Sequence, residues 1–272
     1  MTKNTHMLEQ SIGDVVDEVL DAADDELYVV NPTQETVEEL LDVMAERDGP
    51  TVRLLAGEEV LKETMADFKI ASSAADLSGS GDLEFQVYES TANTLLVTES
   101  SVVAVVSAAG RVAGLVTEDD AFVEGAYDQY ATAWEDAEAF NLRTPAISEV
   151  RDTLRHDVGD AAADDFDDVL ASLETARGDG DGLDEVTISL LVAAKNQELL
   201  YDISKWGEDV GIASKATFSR TKTDLEENGL IDTEKVPIDV GRPRLRLKLG
   251  DDRLTDATTD ELASVAQSVI AK

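Results

Sequence analysis

Cysteine is absent from this 272-residue chain, which excludes disulfide scaffolds, cysteine-based zinc sites and thiol nucleophiles. Histidine is scarce: His6 and His156 are the only two, too few for a multi-histidine metal centre. Long apolar runs are missing as well. The longest, near Val102–Ala109, falls far short of the ~20 residues that a membrane-spanning helix needs. Residues 1–10 hold one lysine and no apolar block, so they do not read as an export signal, and the expectation is a soluble cytoplasmic protein. Nothing in the pattern asks for a cofactor.

Positive charge is scarce too, with 22 Lys and Arg against 59 Asp and Glu and a formal net charge of −37. Apolar residues still make up 43%, enough for packed cores and too much for a disordered acidic polymer. The acids are scattered along prospective helix faces, as in Asp14, Asp17, Glu18 and Asp21, and do not form one contiguous tail. That distribution fits a surface adapted to molar salt, and hence a halophile cytoplasm, better than a mimic of nucleic acid. The length allows two modest domains.

The first helix is expected over Met7 to Ala22, where Leu8, Ile12, Val15, Val16, Val19 and Leu20 recur at spacings of three and four. Leu27–Val30 reads as a short strand, and Asn31-Pro32-Thr33 ends it and caps a second helix, which stops at Asp48-Gly49-Pro50. Thr51–Ala56 reads as another strand, with a helix over about Glu58 to Lys69. This order suggests parallel strands with crossover helices. From Leu83 onward the runs Leu83–Tyr88, Thr94–Thr98, Ser101–Ser107 and Arg111–Val116 are β-rich, the last three close enough for an antiparallel meander. A long helix follows over Asp119–Phe140. The first 143 residues are thus expected to form an α/β domain, a mixed sheet with flanking helices.

Residues 144–182 read as an acidic connector. Ile147, Val150, Leu154 and Val158 form one apolar stripe, and Phe166, Val169, Leu170 and Leu173 another. Each must bury against a neighbouring subunit or against the chain's own domain. Gly178-Asp179-Gly180-Asp181-Gly182 reads as a linker. It superficially resembles a calcium loop, but an EF-hand loop starting at Asp179 needs a bidentate Glu at its twelfth position, which is Leu190.

After the linker the charge balance changes. Lys195 to Arg253 spans 59 residues with 11 basic and 12 acidic side chains, a net of −1, while the remainder carries −36. Half of the positive charge sits in about a fifth of the chain. The same stretch has the order of a winged helix-turn-helix over 183–251. Helices are expected at about Asp184–Asn196 and Leu200–Asp209. Gly211 makes the turn, and Ser214 caps a third helix running to about Glu227. Two β-runs follow, Thr233–Ile238 and Arg244–Leu249.

A recognition helix needs small polar and basic groups exposed near its N-terminus to enter the major groove. Lys215, Thr217, Ser219 and Arg220 are those groups, with Ala216, Phe218 and Leu225 expected to face inward. In the wing, alternation places Arg244, Arg246 and Lys248 on one strand face and three leucines on the other, with Arg242 at the hairpin tip. Phosphate contacts would position the domain and the helix would read bases. Simple charge pairing suits Lys195, Lys205 and Lys235, but fits the wing poorly, where no acid intervenes. Residues 252–272, with Leu262, Val265, Ala266 and Val269, read as a terminal amphipathic helix for dimer or interdomain packing.

The segments Leu200–Trp206, Ala213–Arg220, Glu227–Ile231 and Val240–Arg244 resemble archaeal winged helix-turn-helix transcription regulators. Over the whole chain the sequence is similar to the TrmB-suppressor protein (TbsP) group of haloarchaeal regulators. Its N-terminal half resembles the phospholipase-D-like effector domain of TrmB-type sugar regulators. The resemblance implies control of glycolytic and gluconeogenic genes and binding to promoter DNA as a homodimer. One departure stands out: many such recognition helices carry Leu where Lys222 stands. Either Thr221 turns inward or the helix is rotated, which leaves Lys222 and Thr223 open as base contacts.

Phospholipase-D chemistry requires an HxK pair, and His6 is followed by Met7-Leu8 and His156 by Asp157-Val158, so no such activity is expected. Ser78-Gly79-Ser80-Gly81 reads as an ordinary loop. A small anionic metabolite such as a sugar phosphate has one weak candidate site, around Asn31, Thr33 and Arg53, where a helix N-terminus follows a strand. The resulting expectation is a two-domain, non-enzymatic, DNA-binding regulator. The competing readings are a winged helix used for protein interaction, and a degenerate metabolite-binding enzyme.

Overall fold

The structure, a computed structural model, describes residues 6–173, 175–177, 183–238 and 243–270. The chain divides into two compact units, one of Met1–Ala66 and Ser73–Leu142, the other of Asp67–Ser72 and Arg143–Lys272.

The first unit opens with a strand, β1 (His6–Glu9), where the sequence suggests a helical start. Helix α1 (Ile12–Ala22) begins only after Ser11, whose hydroxyl accepts from the Asp14 amide while the Asp14 carboxylate accepts from the Ser11 amide. This capping box fixes the boundary, so Leu8 falls outside the helical stripe whose spacing it happens to match. Next come β2 (Glu26–Val30), α2 (Gln34–Ala45), β3 (Thr51–Ala56), α3 (Glu58–Thr64), α4 (Phe68–Ser80) and β4 (Leu83–Val87). Helix α4 was not anticipated beyond Lys69. Ser78–Ser80 close it, and Gly81, at φ +87°, turns the chain into β4.

Strands β5 (Leu95–Val97), β6 (Val102–Ala108) and β7 (Arg111–Thr117) form the expected meander. Helix α5 (Asp120–Asp136) is shorter than expected, because Glu138–Ala139 form β8 against β4. The eight strands make one mixed sheet in the order β1-β7-β6-β5-β2-β3-β4-β8, with β2, β3 and β4 parallel and the other pairings antiparallel. Central β2 is apolar along nearly its whole length because both faces are covered. On one of them, Val123, Tyr130 and Trp134 of α5 pack over Tyr28, Val30, Val97 and Val102.

The second unit holds α6 (Ile147–Asp157), α7 (Asp160–Ser172), α8 (Glu185–Lys195), α9 (Leu200–Val210), α10 (Lys215–Glu227), β9 (Ile231–Val236), β10 (Arg244–Leu249), α11 (Asp252–Asp256) and α12 (Thr259–Ile270). The stretch expected to be a connector is part of this unit's core. Val150, Leu154, Phe166 and Val169 of α6 and α7 are fully buried in one cluster with Trp206, Phe218, Leu247 and Leu262. The two apolar stripes therefore bury against their own domain, as does the terminal helix. The anticipated linker at Gly178–Gly182 lies outside the described residues. Among the described residues no helix is long and apolar enough to cross a membrane, and no group of three or more metal-ligating side chains is assembled.

Candidate nucleic-acid interface

Helices α9 and α10 form the helix-turn-helix. Gly211 ends α9 in the left-handed region at φ +93°, and Ser214 caps α10 by accepting from the Thr217 amide at 3.2 Å. Close approach of the two helices requires Gly207: a Cβ there would stand 2.3 Å from Cζ of Phe218, the fully buried anchor of α10. Phe218, Lys222 and Leu225 form the inward line of α10. The Lys222 side chain, only 12% exposed, pairs with Glu226 at 2.5 Å, and Glu226 also accepts from Thr233 of β9 at 2.8 Å. Lys222 thus occupies the inward position itself, and neither a rotated helix nor an inward Thr221 is needed. Ala216, expected to face inward, is exposed.

The outward face of α10 carries Ala216, Ser219, Arg220 and Thr223, all exposed and three or four residues apart. Arg220 has no carboxylate within ion-pair distance among the described residues. Two anticipated contacts have other partners. Thr217 shares its hydroxyl with Ser214 at 3.0 Å, inside the cap. Lys215 pairs with Glu208 of α9 at 2.6 Å. That hydrogen bond holds the Glu208 carboxyl below the usual carboxylate range and raises the Lys215 ammonium.

The wing pairs β9 with β10 in antiparallel register, Arg246 opposite Glu234 and Lys248 opposite Asp232. A third segment flanks β10 on its other edge, where the Leu247 amide donates to the Glu198 carbonyl at 2.9 Å and Leu199 bridges Arg246. The expected alternation holds, with Leu247 fully buried, but the wing cations do have acidic neighbours. Lys248 pairs with Glu234, and Arg244 lies 3.9 Å from Asp202 of α9. The Arg244 guanidinium also covers the ring of Tyr201, 3.4 Å from its centroid. Burial and the nearby Asp202 push the Glu198 carboxyl up, against the pull of Arg246. The buried Nε of Arg246 has no hydrogen-bond partner. Arg242 lies outside the described residues. Sequence reasoning missed Glu208, Asp202 and Glu234 because each sits on a different element from the cation it pairs with. Tyr201 had one signal, an aromatic beside Asp202 at the start of a helix.

Each of the three residues suggested for an anionic metabolite already has partners within the domain. Thr33 caps α2 through the Thr36 amide at 3.2 Å. Asn31, at φ +49°, donates to the Ala92 carbonyl and accepts from Thr94. Arg53 stands opposite Tyr28, three residues before Asn31 on β2. Its guanidinium is held by Glu26 at 2.9 Å and the Tyr28 hydroxyl at 2.8 Å, beside the Trp134 ring. The neighbouring α3 N-terminus is likewise filled, since the Glu58 amide donates to Glu89.

An α/β domain joined to a winged helix whose recognition helix displays a small polar face with a free arginine defines a helix-turn-helix transcription regulator. Residues 4–145 match the family described as transcriptional regulator TbsP-like, N-terminal, and residues 146–267 match transcriptional regulator TbsP-like, C-terminal HTH domain. The chain belongs to this TbsP-like family. Against curated proteins it has no match. Among solved structures it is similar to TrmBL2, described as an archaeal chromatin protein that shows a novel mode of DNA binding. The likeness has 14% identity and a TM-score of 0.37, and covers 52% of this chain and 55% of that one. The chain thus aligns with about half of that protein's length.

Proposed function

We propose that this chain binds promoter DNA sequence-specifically as a homodimer and regulates genes of sugar metabolism, without catalysing a reaction. Helix α10 enters the major groove with Ala216, Ser219, Arg220 and Thr223 toward base edges. Arg244, Arg246, Lys248 and Arg242 meet the phosphates from the wing, and Lys215 does so from the helix start. The observation that carries this reading is Arg220, exposed at the centre of a face of small side chains and free of a carboxylate partner among the described residues. The sugar-gene assignment rests on the resemblance to haloarchaeal regulators of glycolysis and gluconeogenesis. The acid-rich remainder suits a cytoplasm with molar salt.

Genome-wide mapping of bound sites tests the targets. Enrichment at promoters of glycolytic and gluconeogenic genes, with a shared two-fold symmetric motif, is the expected result. Binding spread evenly along the genome would overturn sequence specificity, and a specific motif at unrelated genes would overturn the sugar assignment alone.

A further inference from the structure

One half of the α/β sheet carries an apolar face that no helix covers among the described residues. Strand register places Leu8, Ala113 and Val106 in one row across β1, β7 and β6, and His6, Leu115 and Ala104 in the next. These residues share the face that α5 covers farther along, over β5 and β2. Beyond the edge of α5 the cover stops. Leu8, Val106 and Leu115 are left 55%, 38% and 45% exposed, and Phe122 of α5 stands beside them at 57%. These four account for most of the exposed large hydrophobic side chains among the described residues. A groove of about 420 Å³ runs where α5 meets this face, between Phe122 and Leu115.

From strand spacing and rise, the bare strip measures about 14 Å by 23 Å before the flank of α5 is added. That is the size of the largest apolar patch a monomer usually exposes, and such patches are often functional. Charge selects the occupant. Acids make up 59 of 272 residues, yet none of the residues on this face or lining the groove is Asp or Glu. Two chains of net charge −37 repel wherever their ordinary surfaces meet. A carboxylate-free apolar face is where two identical copies can close without opposing like charges. A two-fold pairing brings the same patch to itself, and a face without carboxylates meets its copy with no acid opposing an acid.

We infer that the outer face of β1, β7 and β6, with Phe122 of α5, is the interface between two copies of this chain. The inference rests on the homodimer reading above and locates its contact. In the dimer, Phe122 of each copy covers sheet surface of the other, and the groove closes.

Sedimentation equilibrium of the full chain in molar potassium salt tests it. The wild type is expected at about twice the 29.2 kDa chain mass. Leu115→Glu and Phe122→Glu should each return the monomer mass with an unchanged circular dichroism spectrum, whereas Ile238→Glu, at an exposed apolar position of the second unit, should stay dimeric. A dimeric wild type whose two face variants remain dimeric overturns the interface and leaves the homodimer reading standing. A wild type that is monomeric both free and on DNA overturns that reading and the interface with it. Should a charged variant fail to fold, the absence of native cysteine gives a second route. Leu115→Cys treated with a short bismaleimide should give a cross-linked dimer and Ile238→Cys none, and no cross-link at Leu115→Cys overturns the proposal.

Discussion

The Arg244 guanidinium lies over the Tyr201 ring, 3.4 Å from its centroid, tying the wing to the first turn of α9. Cation–π contacts at exposed sites contribute about 0.5–1 kcal/mol. On the proposed DNA contact, the stack fixes where this flexible cation would meet the phosphate backbone. Tyr201→Ala should weaken operator binding by about 0.5–1 kcal/mol, roughly two- to fivefold, and Tyr201→Phe should leave it unchanged. Fluorescence anisotropy with labelled operator reads both, and equal losses for the two variants would assign the effect to the hydroxyl instead.

Three of the proposed phosphate-contacting cations already hold carboxylates: Lys215 with Glu208, Arg244 with Asp202, and Lys248 with Glu234. When such a cation turns to DNA, the freed carboxylate takes up a counterion, which offsets the one released from the phosphate. The five proposed phosphate-contacting cations would give a salt slope of about −4.5 per subunit at −0.9 per contact. Exchange at three of them should leave a slope of about −2, measurable as log K against log salt. A slope near −4.5 would mean that the ion pairs do not compete with DNA.

The ring centroids of Phe166 and Trp206 are 6.4 Å apart, edge to face, and Trp206 Nε1 donates to Thr153 of α6 at 2.9 Å. Helices α6 and α7 are thus structural parts of the DNA-binding unit. Phe166→Ala should cost about 3–5 kcal/mol and lower operator affinity through partial unfolding of this unit. Denaturant unfolding followed by Trp206 fluorescence in a Trp134→Phe background checks it. A normal midpoint would contradict a shared core.

Asp165 accepts from Lys195 at 2.5 Å, Asn196 at 2.6 Å and Thr259 at 2.8 Å, linking α7, α8 and α12. Burial pushes its carboxyl up, but these three donors outweigh it and hold it below the usual Asp value. A depressed carboxyl stabilises the fold above its unfolded pKa, about 3.9, and that contribution is lost as pH falls through the lower folded value. Asp165→Ala should cost about 2 kcal/mol at neutral pH, with the gap to wild type narrowing below about pH 4. A gap that is constant with pH would exclude the charged hydrogen bonds as its source.

Patterns with a local cause were legible in the sequence. Strand β10 falls at Arg244–Leu249 as its alternation indicates, and α10 starts after Ser214 because the cap is a neighbour in sequence. The exposure of Arg220 on that helix was legible for the same reason. Partners that come from elsewhere in the fold were not. Glu234 reaches Lys248 across a hairpin, Glu208 reaches Lys215 across the turn, and the stripes of α6 and α7 do not say which core they enter. Helix α4 escaped notice because its second half, Ser73–Ser80, is built of small residues with one leucine and shows no broad apolar stripe. Strand β1 was hidden by Leu8, whose spacing suits α1 although the capping box at Ser11 cuts it off.

The central claim is that Arg220 reads bases from α10. Anisotropy titration of the full-length wild type and Arg220→Ala against a mapped operator, with a scrambled duplex alongside, tests it directly. A lost bidentate contact to a base should cost about 2 kcal/mol, roughly thirtyfold, on the operator alone. Equal affinity of both proteins for the operator, or an equal loss on both duplexes, would contradict base reading by this helix.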